Sequence, residues 1–140
     1  MKLMDYLHTH PYSVIQFHAS DMILYIKSDA AYLVLPQARS RVTIIFYLIN
    51  ATSKRPPLNG DIQVICKILQ NIVSSAAEAE TGGIFISGQQ AVPIITYLSE
   101  LNHPQPACGN RTSTDNSTAK GVLTANLRQK LSKAFDIRYW

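Results

Sequence analysis

At 140 residues, with 46% hydrophobic and 16% charged side chains, the chain has the composition of one globular domain able to bury its own core. Its longest apolar-leaning run, residues 42–49, is about half of what a membrane span requires, so no membrane partner is expected. The net charge of +4 excludes an acidic, polyanion-like chain and leaves a polyanionic partner open.

The N-terminal MKLMDYLHTHPYS has no continuous apolar stretch and no small-residue cleavage site, so no signal peptide and an intracellular location are expected. Cys66 and Cys108 form no CxxC pair and read as free thiols. The sequons at Asn50, Asn110 and Asn116 then carry no glycosylation meaning. His8 and His10 make a lone HxH, and the four histidines show no other metal-ligand spacing.

In chain order, residues 2–9 read as a short helix stopped before Pro11, because proline disfavours helix in its predecessor. Residues 13–17 suit a short strand and 18–21 a polar turn. Residues 22–27 form an apolar strand ending on Ser28-Asp29. An aspartate closing a buried strand is either a turn residue or a charge with a partner, since burying it alone costs several kcal/mol. A turn at 36–40 leads to the strongest strand, 41–49, which is β-branched and aromatic nearly throughout. The polar loop 50–61, with Pro56, Pro57 and Asn59-Gly60, joins it to a third strand at 62–68, giving three strands linked by turns.

A helical pattern runs from about Ala76 to Leu101. It opens on SSAAEAE, residues 74–80, whose two carboxylates stand two positions apart and so point to nearly opposite sides of a helix. Ile84, Ala91, Ile95 and Leu98 continue the apolar face from Glu80, whereas Glu78 shares its side with Gly82 and Gln89. The pattern therefore turns Glu80 inward and Glu78 to water. Gly82, Gly83 and Gly88 weaken this helix, and Pro93 is expected to kink or break it. After NHPQP (102–106), residues 107–116 make a poor strand with almost nothing apolar to bury. Asp115 is a candidate N-cap for a final helix, in which Leu123, Leu127, Leu131 and Phe135 recur as packing positions. Residues 120–140 carry Lys120, Arg128, Lys130, Lys133 and Arg138 against Asp136 alone, which is either a nucleic-acid surface or a solvated basic face. Two aspartates at strand ends with a helix-borne glutamate offer the hard oxygen donors of a divalent-metal site. Paired ions roughly 3.5–4 Å apart serve phosphodiester hydrolysis.

The chain resembles the ribonuclease H domain of copia-type retrotransposon Pol polyproteins, the segment following the reverse transcriptase. The matching pieces are DYLHTHP (5–11), HASDMILYIKSDAAYL (18–33), ARSR (38–41), NGDIQVICKIL (59–69), SSAAEAE (74–80), AVPI (91–94), HPQP (103–106), TDNSTAKGVL (114–123) and SKAFDIRYW (132–140). The resemblance implies an α/β, ribonuclease H-like mixed sheet, three antiparallel strands extended by parallel ones, with flanking helices. Residues 1–17 would be the connection from the reverse transcriptase region, a partner in cis, and 18–140 the ribonuclease H-like domain.

Carried over by position, Asp29, Glu80 and Asp115 match the family's catalytic, metal-binding carboxylates, which use Mg²⁺ or Mn²⁺ to cleave the RNA strand of an RNA–DNA hybrid. Asn116 and Ser117 fall where contacts to the hybrid are expected, with Lys120, Arg128, Lys130 and Lys133 as further nucleic-acid-binding positions. The family's closing LADxFTK segment, which supplies a fourth carboxylate, has no counterpart, and Asp136 belongs to the preceding helix. The domain is thus expected to be C-terminally incomplete, truncated before the fifth strand and last helix, with weak or lost ribonuclease activity. The alternative is a non-catalytic nucleic-acid-binding remnant or an inert fragment.

Overall fold

The computed structural model describes residues 2–51, 59–106 and 111–123. Helix α1 (Lys2–Thr9) is followed by strand β1 (Ile23–Leu35), a 3₁₀ turn (Pro36–Ala38), and strands β2 (Arg39–Ile49) and β3 (Asp61–Ile68). The long helix α2 (Ala76–Glu100), a short strand β4 (Arg111–Ser113) and helix α3 (Ser117–Leu123) complete the order. The sheet order is β3-β2-β1-β4, antiparallel across the first two pairings and parallel between β1 and β4. The chain is therefore mixed α/β, a four-stranded mixed sheet with flanking helices. Among the described residues no helix is long and apolar enough to cross a membrane.

Period-2 alternation decides which sheet face is buried. Leu24 and Ile26 of β1, Val42, Ile44 and Phe46 of β2, and Ile65 of β3 face α2 and pack with Ala91 and Leu98 or with Leu69, Val73 and Ala79. Two side-chain amides secure the loops around this layer. Asn59 donates from Nδ2 to the carbonyls of His18 and Leu48 and accepts from His18 N. Gln105 accepts from Leu24 N and donates to Met22 O, standing in for a strand neighbour just before β4 takes up the pairing at Tyr25.

Several expectations are corrected. Residues 13–17 form no strand; they are exposed and unpaired with the sheet. Asp29 does not end β1. The strand continues because Asp29 pairs with Thr43 and Ala30 with Val42, and the ladder turns irregular only between Ala31 and Leu35. Helix α2 runs unbroken through Pro93, which lies on its exposed side. The carbonyl that loses its intrahelical donor there can take one from water. Asn102, with φ +69°, closes α2. Asn102 N donates to Ser99 O and His103 N to Leu98 O, a left-handed closing turn that asparagine tolerates.

Glu78 is the largest correction: it is fully buried (0% exposed), not turned to water. Ser75 is the N-cap of α2 and its hydroxyl accepts from Glu78 N at 3.1 Å. In return the Glu78 carboxylate accepts from the Ser74 amide and hydroxyl at 2.7 and 2.6 Å. This is a capping box, displaced by one residue, in which the entering chain folds over the first turn and covers the carboxylate. Ser75→Ala should lower stability by about 1 kcal/mol, read as a shift of the urea midpoint. An unchanged midpoint would mean that the Glu78 carboxylate alone closes the helix start.

Helix α3 is capped by Asn116, not Asp115, since Asn116 Oδ1 accepts from Ala119 N at 3.0 Å. Cys66 is a free, exposed thiol. Cys108, Asn110, Leu127, Arg128, Lys130, Leu131, Lys133, Phe135, Asp136 and Arg138 lie outside the described residues.

Candidate metal centre

Three elements remote in the chain converge beside the end of β4. In the parallel ladder Lys27 pairs with Ser113, so counting two residues onward sets Asp29 level with Asp115. Helix α2 crosses the buried face of β1 and brings Glu80 to the same level, where Glu80 Oε1 accepts from Ala30 N at 2.9 Å. The Thr114 hydroxyl donates to Glu80 Oε2 at 2.9 Å and itself accepts from Asn116 N at 3.2 Å. Glu80 is thus tied by one oxygen to β1 and by the other to the segment leaving β4. It is 3% exposed, as the helical periodicity requires.

One carboxylate oxygen from each of Asp29, Glu80 and Asp115 lies within 4.8 Å of the other two. Asp29 and Asp115 are exposed and Glu80 is buried, so the cluster opens to solvent on one side only. Among the described residues no Lys or Arg forms an ion pair with any of the three. The Glu80 carboxyl is held above its usual range, first by burial and further by the negative charges of Asp115 and Asp29. The bonds from Ala30 and Thr114 pull the other way.

Three hard oxygens at this separation suit a cation that binds oxygen at 2.0–2.6 Å and keeps part of its water shell, the chemistry of Mg²⁺, Mn²⁺ or Ca²⁺. Each Glu80 oxygen uses one lone pair in its hydrogen bond and keeps another for a ligand. Because a cation binds only the ionised carboxylate, Mn²⁺ affinity should fall on acidification from pH 7 already above pH 4.5, the ordinary glutamate value. Titration calorimetry across that range checks this; an affinity flat down to pH 4.5 would contradict it.

Of the other positions expected to meet nucleic acid, Ser117 and Lys120 are exposed on α3. Asn116 is half-buried, with its side chain used as the α3 cap. The sequence reading missed Thr114, the Ala30 amide, and the approach of Gly83 to Ser28, where a Cβ built on Gly83 would stand 2.6 Å from Ser28 Oγ. Thr114 had a faint signal as a hydroxyl beside Asp115 at a strand end. Compared with protein-family models, curated proteins and solved structures, the chain gives no match.

Proposed function

We propose that Asp29, Glu80 and Asp115 hold a divalent cation, Mg²⁺ or Mn²⁺, and that the chain is a retroelement-derived, ribonuclease H-like domain whose ancestral reaction, cleavage of the RNA strand of an RNA–DNA hybrid, is weak or lost for want of the fourth carboxylate. The observation that carries this reading is the convergence of three carboxylates from β1, α2 and the end of β4, with no ion pair to a Lys or Arg among the described residues. The β3-β2-β1-β4 order, with its single parallel pairing, supports it as well, because this is the mixed sheet that the sequence resemblance implies.

A bound divalent ion supplies the positive charge that activates water and stabilises a leaving phosphodiester oxygen. The residues of this chain supply the rest. Asp29 and Asp115 offer oxygens at the open rim, where a polyanion can approach. Ala30 and Thr114 fix both Glu80 oxygens, so the buried ligand is oriented before a cation arrives. The exposed apolar side chains of α1 and of Tyr12, Val14 and Ile15 support the reading of this N-terminal stretch as a connection to a neighbouring domain.

The test is incubation with a strand-labelled RNA–DNA hybrid in Mg²⁺ or Mn²⁺, with and without chelator. Mn²⁺ binding that is lost in Asp29→Asn, with at most slow cation-dependent cleavage of the RNA strand, is expected; robust cleavage would show that the fourth carboxylate is not needed. Salt-sensitive hybrid binding without cleavage would favour the binding remnant. Absence of both cleavage and Mn²⁺ binding would sink the proposal.

A further inference from the structure

Ser28 and Ala30 lie two apart on β1, on the face toward α2, while Glu80 and Gly83 lie three apart on one face of α2. The two elements therefore meet in two successive rungs, Ala30 with Glu80 and Ser28 with Gly83. The first rung is the 2.9 Å hydrogen bond from Ala30 N to Glu80 Oε1. The second is a contact across a missing side chain. A Cβ on Gly83 would stand 2.6 Å from Ser28 Oγ and 3.4 Å from Val42 Cγ1. Ser28 is 2% exposed and its hydroxyl, among the described residues, has no hydrogen-bond partner. A buried hydroxyl without a partner is unfavourable, so hydrogen bonding does not explain its presence. What it does sterically is fill the hollow that Gly83 leaves.

We infer that Gly83, through its contact with Ser28, sets the distance at which α2 presents Glu80 to the carboxylate cluster, making Gly83 a positioning residue of that site. This rests on the cation-site reading above. An alanine Cβ at 2.6 Å is closer than Cβ atoms approach, so either the enclosed Ser28 hydroxyl turns aside or the helix retreats by a few tenths of an ångström or more, and the positioning role requires that the helix gives way. Glu80 is one helical turn away and moves with it. Such a shift lengthens the 2.9 Å bond from Ala30 and exceeds the roughly 0.2 Å that metal–ligand distances tolerate. Ser28→Ala removes the obstructing oxygen, leaving Val42 Cγ1 at an adjustable 3.4 Å as the nearest neighbour.

The experiment measures Mn²⁺ affinity by titration calorimetry on the parent, Gly83→Ala, Ser28→Ala and the Ser28→Ala/Gly83→Ala pair, each shown to be folded by urea denaturation. Gly88→Ala is the control, because nothing lies within 4 Å of a Cβ there. It should leave affinity unchanged while the better helix former raises stability. Gly83→Ala is expected to weaken Mn²⁺ binding about 10–100-fold, the range of substitutions behind a metal ligand. The double variant should return close to the parent. Unchanged affinity in Gly83→Ala would overturn the inference, since Ser28 would then have turned aside without moving the helix. Weakened binding that Ser28→Ala does not rescue would overturn it too. A parent chain that binds no Mn²⁺ would remove the cation-site reading and this inference with it, a result distinct from the other two.

Discussion

Glu80→Gln should abolish Mn²⁺ binding and any residual hybrid cleavage while making the metal-free chain more stable at neutral pH. The first effect should exceed the roughly 10–100-fold loss caused by substitutions behind a ligand, because in the proposed site Glu80 is itself the buried ligand. The second follows from the sign of its titration. The folded-state carboxyl titrates above the ordinary value of 4.5, chiefly because it is buried and then because Asp115 and Asp29 stand near. Its contribution to stability is therefore fully present below the unfolded value and is lost as pH rises through the folded one. At pH 7 the charged group works against the fold. A glutamine keeps the carbonyl that accepts from Ala30 N and presents an amide to the Thr114 hydroxyl, without the charge. Thermal melts in chelator should show the variant above the parent at pH 7, with the gap closing toward pH 4. A variant that melts below the parent at pH 7 would mean that the two hydrogen bonds outweigh the repulsion.

Phe46→Ala should come close to unfolding the chain. Phe46 is 0% exposed at the middle of β2, between Ile26 of β1 and Gln63 of β3, on the face that meets α2. Removing a buried phenylalanine costs about 3–5 kcal/mol, against a total of about 5–15 kcal/mol for a domain. The contrast is Val64→Ala. Val64 is 55% exposed on the opposite sheet face, and its truncation should stay within about 0.5 kcal/mol. Urea midpoints for the two variants decide between the faces. If Val64→Ala proved the costlier change, the packing core would lie on the other side of the sheet.

What was legible in the residues was whatever a local pattern encodes. The β-branched run of β2 announces a strand, and Glu80 shares its helical side with Ala91 and Leu98, so its inward direction follows from a period of 3.6. Glu78 escaped the same logic because its burial comes from the chain folding over the helix start at Ser74 and Ser75. The extent of β1 was misjudged at Asp29, where pairing with Thr43 extends the strand past a residue that alone signals a turn. Gly83 reads as a weak point in a helix, yet the structure uses it as the close approach of helix to sheet, against Ser28. Pro93 reads as a break, and its exposed position lets the helix pass. The three residues of β4 have almost no strand character and exist by pairing with Tyr25, Ile26 and Lys27. The three carboxylates at positions 29, 80 and 115 are grouped by the order of strands and helix and by the resemblance, but their separation within 4.8 Å follows only from the topology.

The two hydrogen bonds that hold Glu80 span 50 and 34 positions of the chain. Closing loops of that size is an entropic cost met before any contact between their ends is gained, so such contacts form late in folding. The far side of the corner hangs on only three residues of ladder, and short, thinly supported pairings are where native proteins open first. The carboxylate corner is thus expected to form later and open sooner than the packed core of β1, β2, β3 and α2. Any ligand that bridges its three arms slows that opening, so hydrogen exchange at the Arg111–Ser113 amides becomes a gauge of whether the corner is filled.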